Sequence, residues 1–135
     1  MTIYVDENIS PYLAEGLNIL QQKEFPGIEV KAIEKVFRKG IPDEEWIPVA
    51  GSENACVITQ DINIHRTRSQ LQLYREHKLG FFFLKPPGKG SFRYWDMVQL
   101  IIKHWPAIAK AATKTQKPFA YRFTSRSGKL ENIGD

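Results

Sequence analysis

Cys56-Val57-Ile58-Thr59-Gln60-Asp61-Ile62-Asn63-Ile64-His65 decides how this chain folds. Ala55 to Ile58 is a short, β-branched-rich apolar run, the pattern of a strand covered on both faces. Thr59 to Asn63 breaks it with turn-prone polar residues, which sets Asp61 at the carboxyl end of a buried strand. The start of the chain repeats the design, with Ile3-Tyr4-Val5 running straight into Asp6-Glu7-Asn8. In open α/β sheets ligands bind at the carboxyl edge of the strands. Two such strands, as parallel neighbours, bring two carboxylates to one rim.

The elements on either side fit that plan. Ser10-Pro11 opens a helix whose Leu13, Leu17 and Leu20 form a stripe directed at the sheet. Ile28 to Ile33 reads as a second strand, with Ile28, Val30 and Ala32 alternating. Asp43-Glu44-Glu45 begins a helix with Trp46, Ile47, Val49 and Ala50 on its apolar face, left short or bent by Pro48. Arg66 to His77 reads as a polar helix anchored by Leu71 and Tyr74. Leu79 to Leu84, with three consecutive phenylalanines, is a fourth buried strand. Residues 92 to 112 form the longest helix, with Phe92, Trp95, Val98, Ile102, Trp105, Ile108 and Ala112 along one side and a kink or break after Trp105 at Pro106. Phe119 to Ser125 and Lys129 to Ile133 suggest a β-hairpin with Gly128 in its turn. Alternating strands and helices imply an α/β fold with a parallel sheet and crossover helices.

At 135 residues the chain is expected to be a single domain, 1–135. No apolar run approaches the roughly 20 residues of a membrane span, so no membrane partner is expected and a cytoplasmic location is the default. Cys56 is the sole cysteine, which excludes a disulfide framework and a thiolate zinc cluster; inside an apolar strand it reads as structural. Charge divides along the chain. Residues 1 to 76 carry 8 Lys/Arg against 12 Asp/Glu, and residues 77 to 135 carry 11 against 3. An acidic front gathering carboxylates and a basic back meeting phosphates suit a metal-dependent enzyme acting on nucleic acid, whereas a solvated basic tail is the plain alternative.

Each acid has an innocent reading on its own. Asp6 and Asp61 could close turns, and Asp43 could cap a helix with Glu44 and Glu45 favouring its dipole. Taken together, three elements deliver carboxylates to the edge that parallel topology makes common. Hard cations such as Mg²⁺ and Mn²⁺ take such oxygen ligands, and crowded carboxylates without a cation repel.

Val5-Asp6-Glu7-Asn8 ahead of a leucine-rich helix, then Gly40-Ile41-Pro42-Asp43-Glu44-Glu45, then Val57-Ile58-Thr59-Gln60-Asp61-Ile62-Asn63-Ile64 resemble, in order and spacing, the PIN-like domains of the minimal VapC-type toxin group. The resemblance implies a three-layer PIN-like fold with a mainly parallel central sheet flanked by helices. Residues 1–86 are its motif-bearing core, and 87–135 add the C-terminal long helix and β-hairpin. It also implies a Mg²⁺ or Mn²⁺ dependent ribonuclease, often a toxin neutralised by a partner encoded beside it, so RNA and an antitoxin protein are the expected partners. Carried over by position, Asp6 matches the first metal acid, Asp43 the acid opening the second helix with Glu44 as its substitute, and Asp61 the acid of the Thr-x-Asp motif. Glu7, Asn8, Thr59 and Asn63 are supporting residues. The family commonly has a further acid where Asn63 stands; an amide adds no charge, and whether one metal or two is held stays open.

Arg66 and Arg68, just after Asp61, are the nearest candidates to hold flanking phosphates, while His65 reads as a surface histidine. Lys103, Lys110, Lys114 and Lys117 recur at seven, four and three residues. On a continuous helix they make a basic ridge, with Lys110, Lys114 and Lys117 as substrate-binding candidates or as contacts for an acidic partner. Homodimerisation is left open. Two rival readings come from other classes. A receiver-type phosphoacceptor would use Asp6, Glu7, Asp61 and Lys85, but too few residues separate Asp61 from Lys85 for the intervening elements of that fold. A PIN-like module that binds RNA or a partner without cleaving is the other, and Asn63 favours it.

Overall fold

The computed structural model describes residues 1–60, 64–86, 92–126 and 128–134. Asp61 and Asn63 lie outside the described residues. The elements are β1 (Thr2–Val5), α1 (Pro11–Gln21), β2 (Glu29–Ala32), α2 (Ile33–Val36), α3 (Asp43–Ser52), β3 (Cys56–Gln60), α4 (Ile64–His77), β4 (Gly80–Leu84), α5 (Tyr94–Lys114), β5 (Phe119–Phe123) and β6 (Glu131–Asn132). Six strands form one sheet in the order β2-β1-β3-β4-β5-β6. Every neighbouring pair is parallel except β5 and β6, which run antiparallel. The architecture is therefore a mixed α/β fold with a mostly parallel sheet flanked by helices, a long C-terminal helix and a terminal antiparallel hairpin, consistent with the expected PIN-like fold.

Side-chain alternation along the strands divides the core in two. Ile3, Val5, Cys56, Ile58, Phe82 and Leu84 face α1 and α5. Tyr4, Val57, Phe81 and Phe83 face the other way, against Ile33, Trp46, Ile47, Ala50 and Tyr74 from α2, α3 and α4. Every residue of β3 and of β4 is buried, as strands covered on both faces must be, and this is why they read as unbroken apolar runs. Gly80 opens β4 because a Cβ there would lie 2.2 Å from the Phe119 ring.

The structure departs from the sequence reading in a few places. Leu13 and Leu17 are buried, but Leu20 is 69% exposed; Ala14 and Gln21 complete the buried face of α1. The buried side of α5 is Met97, Leu100, Ile101, His104, Trp105, Ile108, Ala109 and Ala112. Trp95 and Ile102 are exposed. Apolar residues occupy more of this helix's circumference than one sheet face can cover, so those at the margin of the arc stay in solvent. Pro106 does not break α5, which runs unbroken from Tyr94 to Lys114; Pro106 is exposed. The short helix α2, directly after β2, had no periodic signal in the sequence. No helix among the described residues is long and apolar enough to cross a membrane.

Candidate active site at the carboxyl edge of the sheet

Asp6 follows β1 and keeps the parity of Tyr4, so its side chain points toward α3 and α4. Thr59 has the parity of Val57 and points the same way. Asp6 is 1% exposed, and its backbone N–H still donates to Ile58 O at 2.9 Å, which extends the β1–β3 pairing to the acid. Its carboxylate is held from several directions. Oδ1 accepts from the Glu7 N–H at 2.8 Å. Oδ2 accepts from Thr59 Oγ1 at 2.8 Å, Arg66 Nη2 at 2.8 Å and Gln70 Nε2 at 3.5 Å.

Asp43 reaches the same place from α3. Pro42 takes the N-cap position and makes no side-chain cap bond, so the Asp43 carboxylate is not used as a cap. Its Oδ1 accepts from Trp46 Nε1 at 3.0 Å and from Arg66 Nη2 at 3.2 Å; its Oδ2 accepts from Arg66 Nε at 3.3 Å and Gln70 Nε2 at 3.3 Å. Asp6 and Asp43 thus share one guanidinium nitrogen and one carboxamide nitrogen. Burial pushes the Asp6 carboxyl pKa up from the ordinary aspartate value, against the pull of Arg66 and Thr59, and the nearby Asp43 charge adds to the rise. Burial disfavours the Arg66 charge, but its bonds to Asp43 and the charges of both acids outweigh that and raise its pKa overall.

The supporting residues have separate jobs. Glu7 accepts from the Gly40 N–H at 2.8 Å, tying the end of β1 to the loop before α3; Gly40 adopts φ +77° there. Thr59 must donate to the Asp6 carboxylate, so its oxygen can only accept from Asn8 Nδ2, at 3.3 Å. Gln60 Nε2 in turn donates to Asn8 O at 2.6 Å. Among the described residues, Asn8 Oδ1 and Gln60 Oε1 are buried without hydrogen-bond donors. Glu44 is exposed, as are His65 and Arg68.

Lys110 and Lys114 are on exposed positions of α5, on the opposite side of the sheet from α3 and α4. α5 connects two parallel strands and therefore runs back toward their amino ends. Lys117 acts electrostatically on Cys56, the first residue of β3. The structure thus brings Asp6, Asp43, Thr59, Asn8 and Arg66 together and sets Lys110, Lys114 and Lys117 at the far edge. Gln70 was missed by the sequence reading, and Trp46 was read as core without its bond to Asp43. Arg66, Gln70 and Tyr74 recur at i, i+4 and i+8, a spacing that puts all three on one helix face, and Tyr74 is buried.

A parallel sheet that delivers a buried acid from the end of one strand to meet an acid opening a crossover helix defines a class of carboxyl-edge sites. A family model described as PIN like domain matches residues 1–86. The chain belongs to the PIN-like domain family, which is nuclease-type and commonly uses divalent metals. Comparison with curated proteins and with solved structures gave no match.

Among the described residues no three of His, Cys, Asp and Glu are grouped to hold a metal. Mg²⁺ is nevertheless commonly bound through one or two carboxylates, with water completing its shell. Asp6 and Asp43 offer hard anionic oxygens with a positive charge already set between them, and the Asn8 carboxamide, bonded to Thr59 through its nitrogen, keeps a buried Oδ1 that has no donor among the described residues. The donor set fits a hard divalent cation.

Proposed function

We propose that this chain is a Mg²⁺ or Mn²⁺ dependent ribonuclease of the PIN-like type, acting as the toxin of a toxin–antitoxin pair. The observation that carries the reading is the meeting of Asp6 and Asp43, from different elements, at one nitrogen of Arg66. Asp6, Asp43 and Asp61 would hold the metal, with Glu44 as the substitute for Asp43. Bound there, a divalent cation supplies Lewis-acid polarisation of a phosphodiester. Thr59 and the Glu7 backbone fix the Asp6 carboxylate for that task, and Asn8 orients Thr59; by sequence, Asn63 is a further supporting residue. Arg66 and Arg68 are placed by sequence next to Asp61 to hold flanking phosphates. Lys110, Lys114 and Lys117 form a separate basic surface suited to a distant stretch of RNA or to an acidic antitoxin.

The test is cleavage of a labelled RNA with and without Mn²⁺ by wild type and by Asp6→Asn, Asp43→Asn and Asp61→Asn. Metal-dependent cleavage that falls to background in each variant supports the assignment; unchanged cleavage in any of them removes that acid from the site. A second reading, a PIN-like module that binds RNA or a protein without cleaving it, draws support from Arg66 already occupying the acidic pair and from the amide at Asn63. It predicts RNA binding without cleavage at any Mn²⁺ concentration.

A further inference from the structure

We infer that Arg66 is the internal counter-ion of the Asp6–Asp43 pair and that it competes with a divalent cation for the same carboxylate oxygens, so that Arg66 sets how tightly this site takes metal. The inference rests on the reading of the two acids as metal ligands.

The geometry sets Arg66 on carboxylate oxygens that a cation would use. Asp6 is 1% exposed and cannot draw its counter-charge from solvent. Thr59 and Gln70 give it hydrogen bonds but no charge, and Trp46 does the same for Asp43. Arg66 is, among the described residues, the cation in ion-pair contact with both acids, through Nη2 at 2.8 Å to Asp6 Oδ2 and 3.2 Å to Asp43 Oδ1. Oδ2 of Asp6 already carries three donors, so its lone pairs are taken until one donor leaves. Thr59 at 0% and Gln70 at 1% exposure are locked in the packed core. The Arg66 side chain is 34% exposed and stands on a flexible stem that can swing outward. A cation that ligates Asp6 Oδ2 must therefore displace Arg66. A divalent ion brings two positive charges to the acids where the guanidinium brings one. The exchange has an electrostatic drive, opposed by loss of the guanidinium's forked bonds.

The sign of one substitution separates this role from a structural one. If Arg66 merely held the acids in position, removing it would loosen them and weaken metal binding. If it competes, removing it must tighten binding while destabilising the metal-free protein. The experiment is Mn²⁺ titration of the full chain, followed by the resonance of the unbound ion, for wild type, Arg66→Gln, Arg66→Lys and each combined with Asp6→Asn. Arg66→Gln should bind Mn²⁺ more tightly by at least about tenfold, the scale of one charge-assisted hydrogen bond that no longer has to be broken. It should also melt lower without metal, and show a larger Mn²⁺-induced rise in Tm than wild type. Adding Asp6→Asn should abolish the gain. Should Arg66→Gln fail to fold without metal, Arg66→Lys carries the test, because a single ammonium cannot reproduce the fork, and its affinity should also rise. Equal or weaker Mn²⁺ binding in the variants that fold overturns the inference. Wild-type cleavage of RNA in Mn²⁺, assayed on the same preparations, separates that failure from failure of the nuclease reading. Intact cleavage with unaltered affinity removes Arg66 as competitor and leaves the enzyme standing, whereas absence of Mn²⁺ binding and of cleavage removes both.

Discussion

Replacing Thr59 by Val keeps the shape of a fully buried side chain and deletes one hydroxyl. That hydroxyl donates to the Asp6 carboxylate over 2.8 Å and accepts from the Asn8 carboxamide. A hydrogen bond to a charged group contributes about 1.5–3 kcal/mol, and the added methyl offsets up to about 0.8 kcal/mol of the loss through apolar burial. The expected net loss is about 1–2 kcal/mol at pH 7, seen in urea unfolding as a lower midpoint with an unchanged slope. Acid should shrink the difference to that of a neutral bond. The Thr59 bond favours ionised Asp6, so the excess it contributes over a neutral bond is present above the folded Asp6 pKa and is lost as pH falls through it. Burial raises that pKa, so the gap between the wild-type and Thr59→Val stability curves should narrow at a pH above the ordinary aspartate range. In an Asp6→Asn background the same methyl gain set against a neutral bond of about 0.5–1.5 kcal/mol should leave a loss below about 1 kcal/mol. A Thr59→Val protein as stable as wild type at pH 7, or a loss undiminished in the Asp6→Asn background, would refute the placement of this bond.

Four further outcomes follow from other parts of the structure. Because the folded Asp6 pKa is raised, its ionised form weakens the fold, and metal-free wild type should lose stability as pH climbs from the ordinary value of 3.8 through the folded one; Asp6→Asn should remove that loss in a pH series of melting curves. Gly80→Ala drives a Cβ into the Phe119 ring and should lower stability by about 1–3 kcal/mol, while Gly27→Ala, with nothing within 4 Å, should stay within about 0.5 kcal/mol of wild type in the same denaturant assay. The Cys56 thiol is pushed up to about 12 by burial, so iodoacetamide at pH 8 should label unfolded chain and leave the native protein unmodified, as mass spectrometry would show. Replacing Lys110, Lys114 and Lys117 by Ala should leave the salt dependence of binding a short RNA unchanged, whereas an RNA long enough to span both edges should lose about 2–3 units of log–log slope.

What could be read from sequence was whatever local pattern dictates. Val57 and Ile58 are packed against both helical layers, and a strand buried on both faces has little choice but to be apolar throughout. Asp6 was legible for the same reason, since a carboxylate directly after such a strand cannot sit far from the carboxyl edge. The partners of the acids were not legible, because they are fixed by how helices dock. Gln70 looks like any polar residue of a solvated helix until α4 packs on Phe81 and Phe83 and buries it to 1%. Trp46 was read as core, which it is, but nothing local says that its indole N–H turns to Asp43 three residues back. The aromatic spacing of α5 misled because two margins of one wide apolar arc carry the same period; only the docked sheet decides which margin is covered.

The charge division of the chain acquires a different meaning once folded. An acidic front and a basic back suggest a single groove in which lysines hold the phosphates that the acids attack. α5 instead carries its lysines back toward the amino ends of the strands, with Lys117 acting on Cys56 at the start of β3. Charges on opposite edges and opposite faces of a sheet are screened from each other at physiological salt, where the Debye length is about 8 Å. The lysines therefore cannot supply the counter-charge that a buried Asp6 requires. That charge has to come from the carboxyl edge itself, and there the chain has put an arginine one helical turn before Gln70, on the face of α4 that meets both acids.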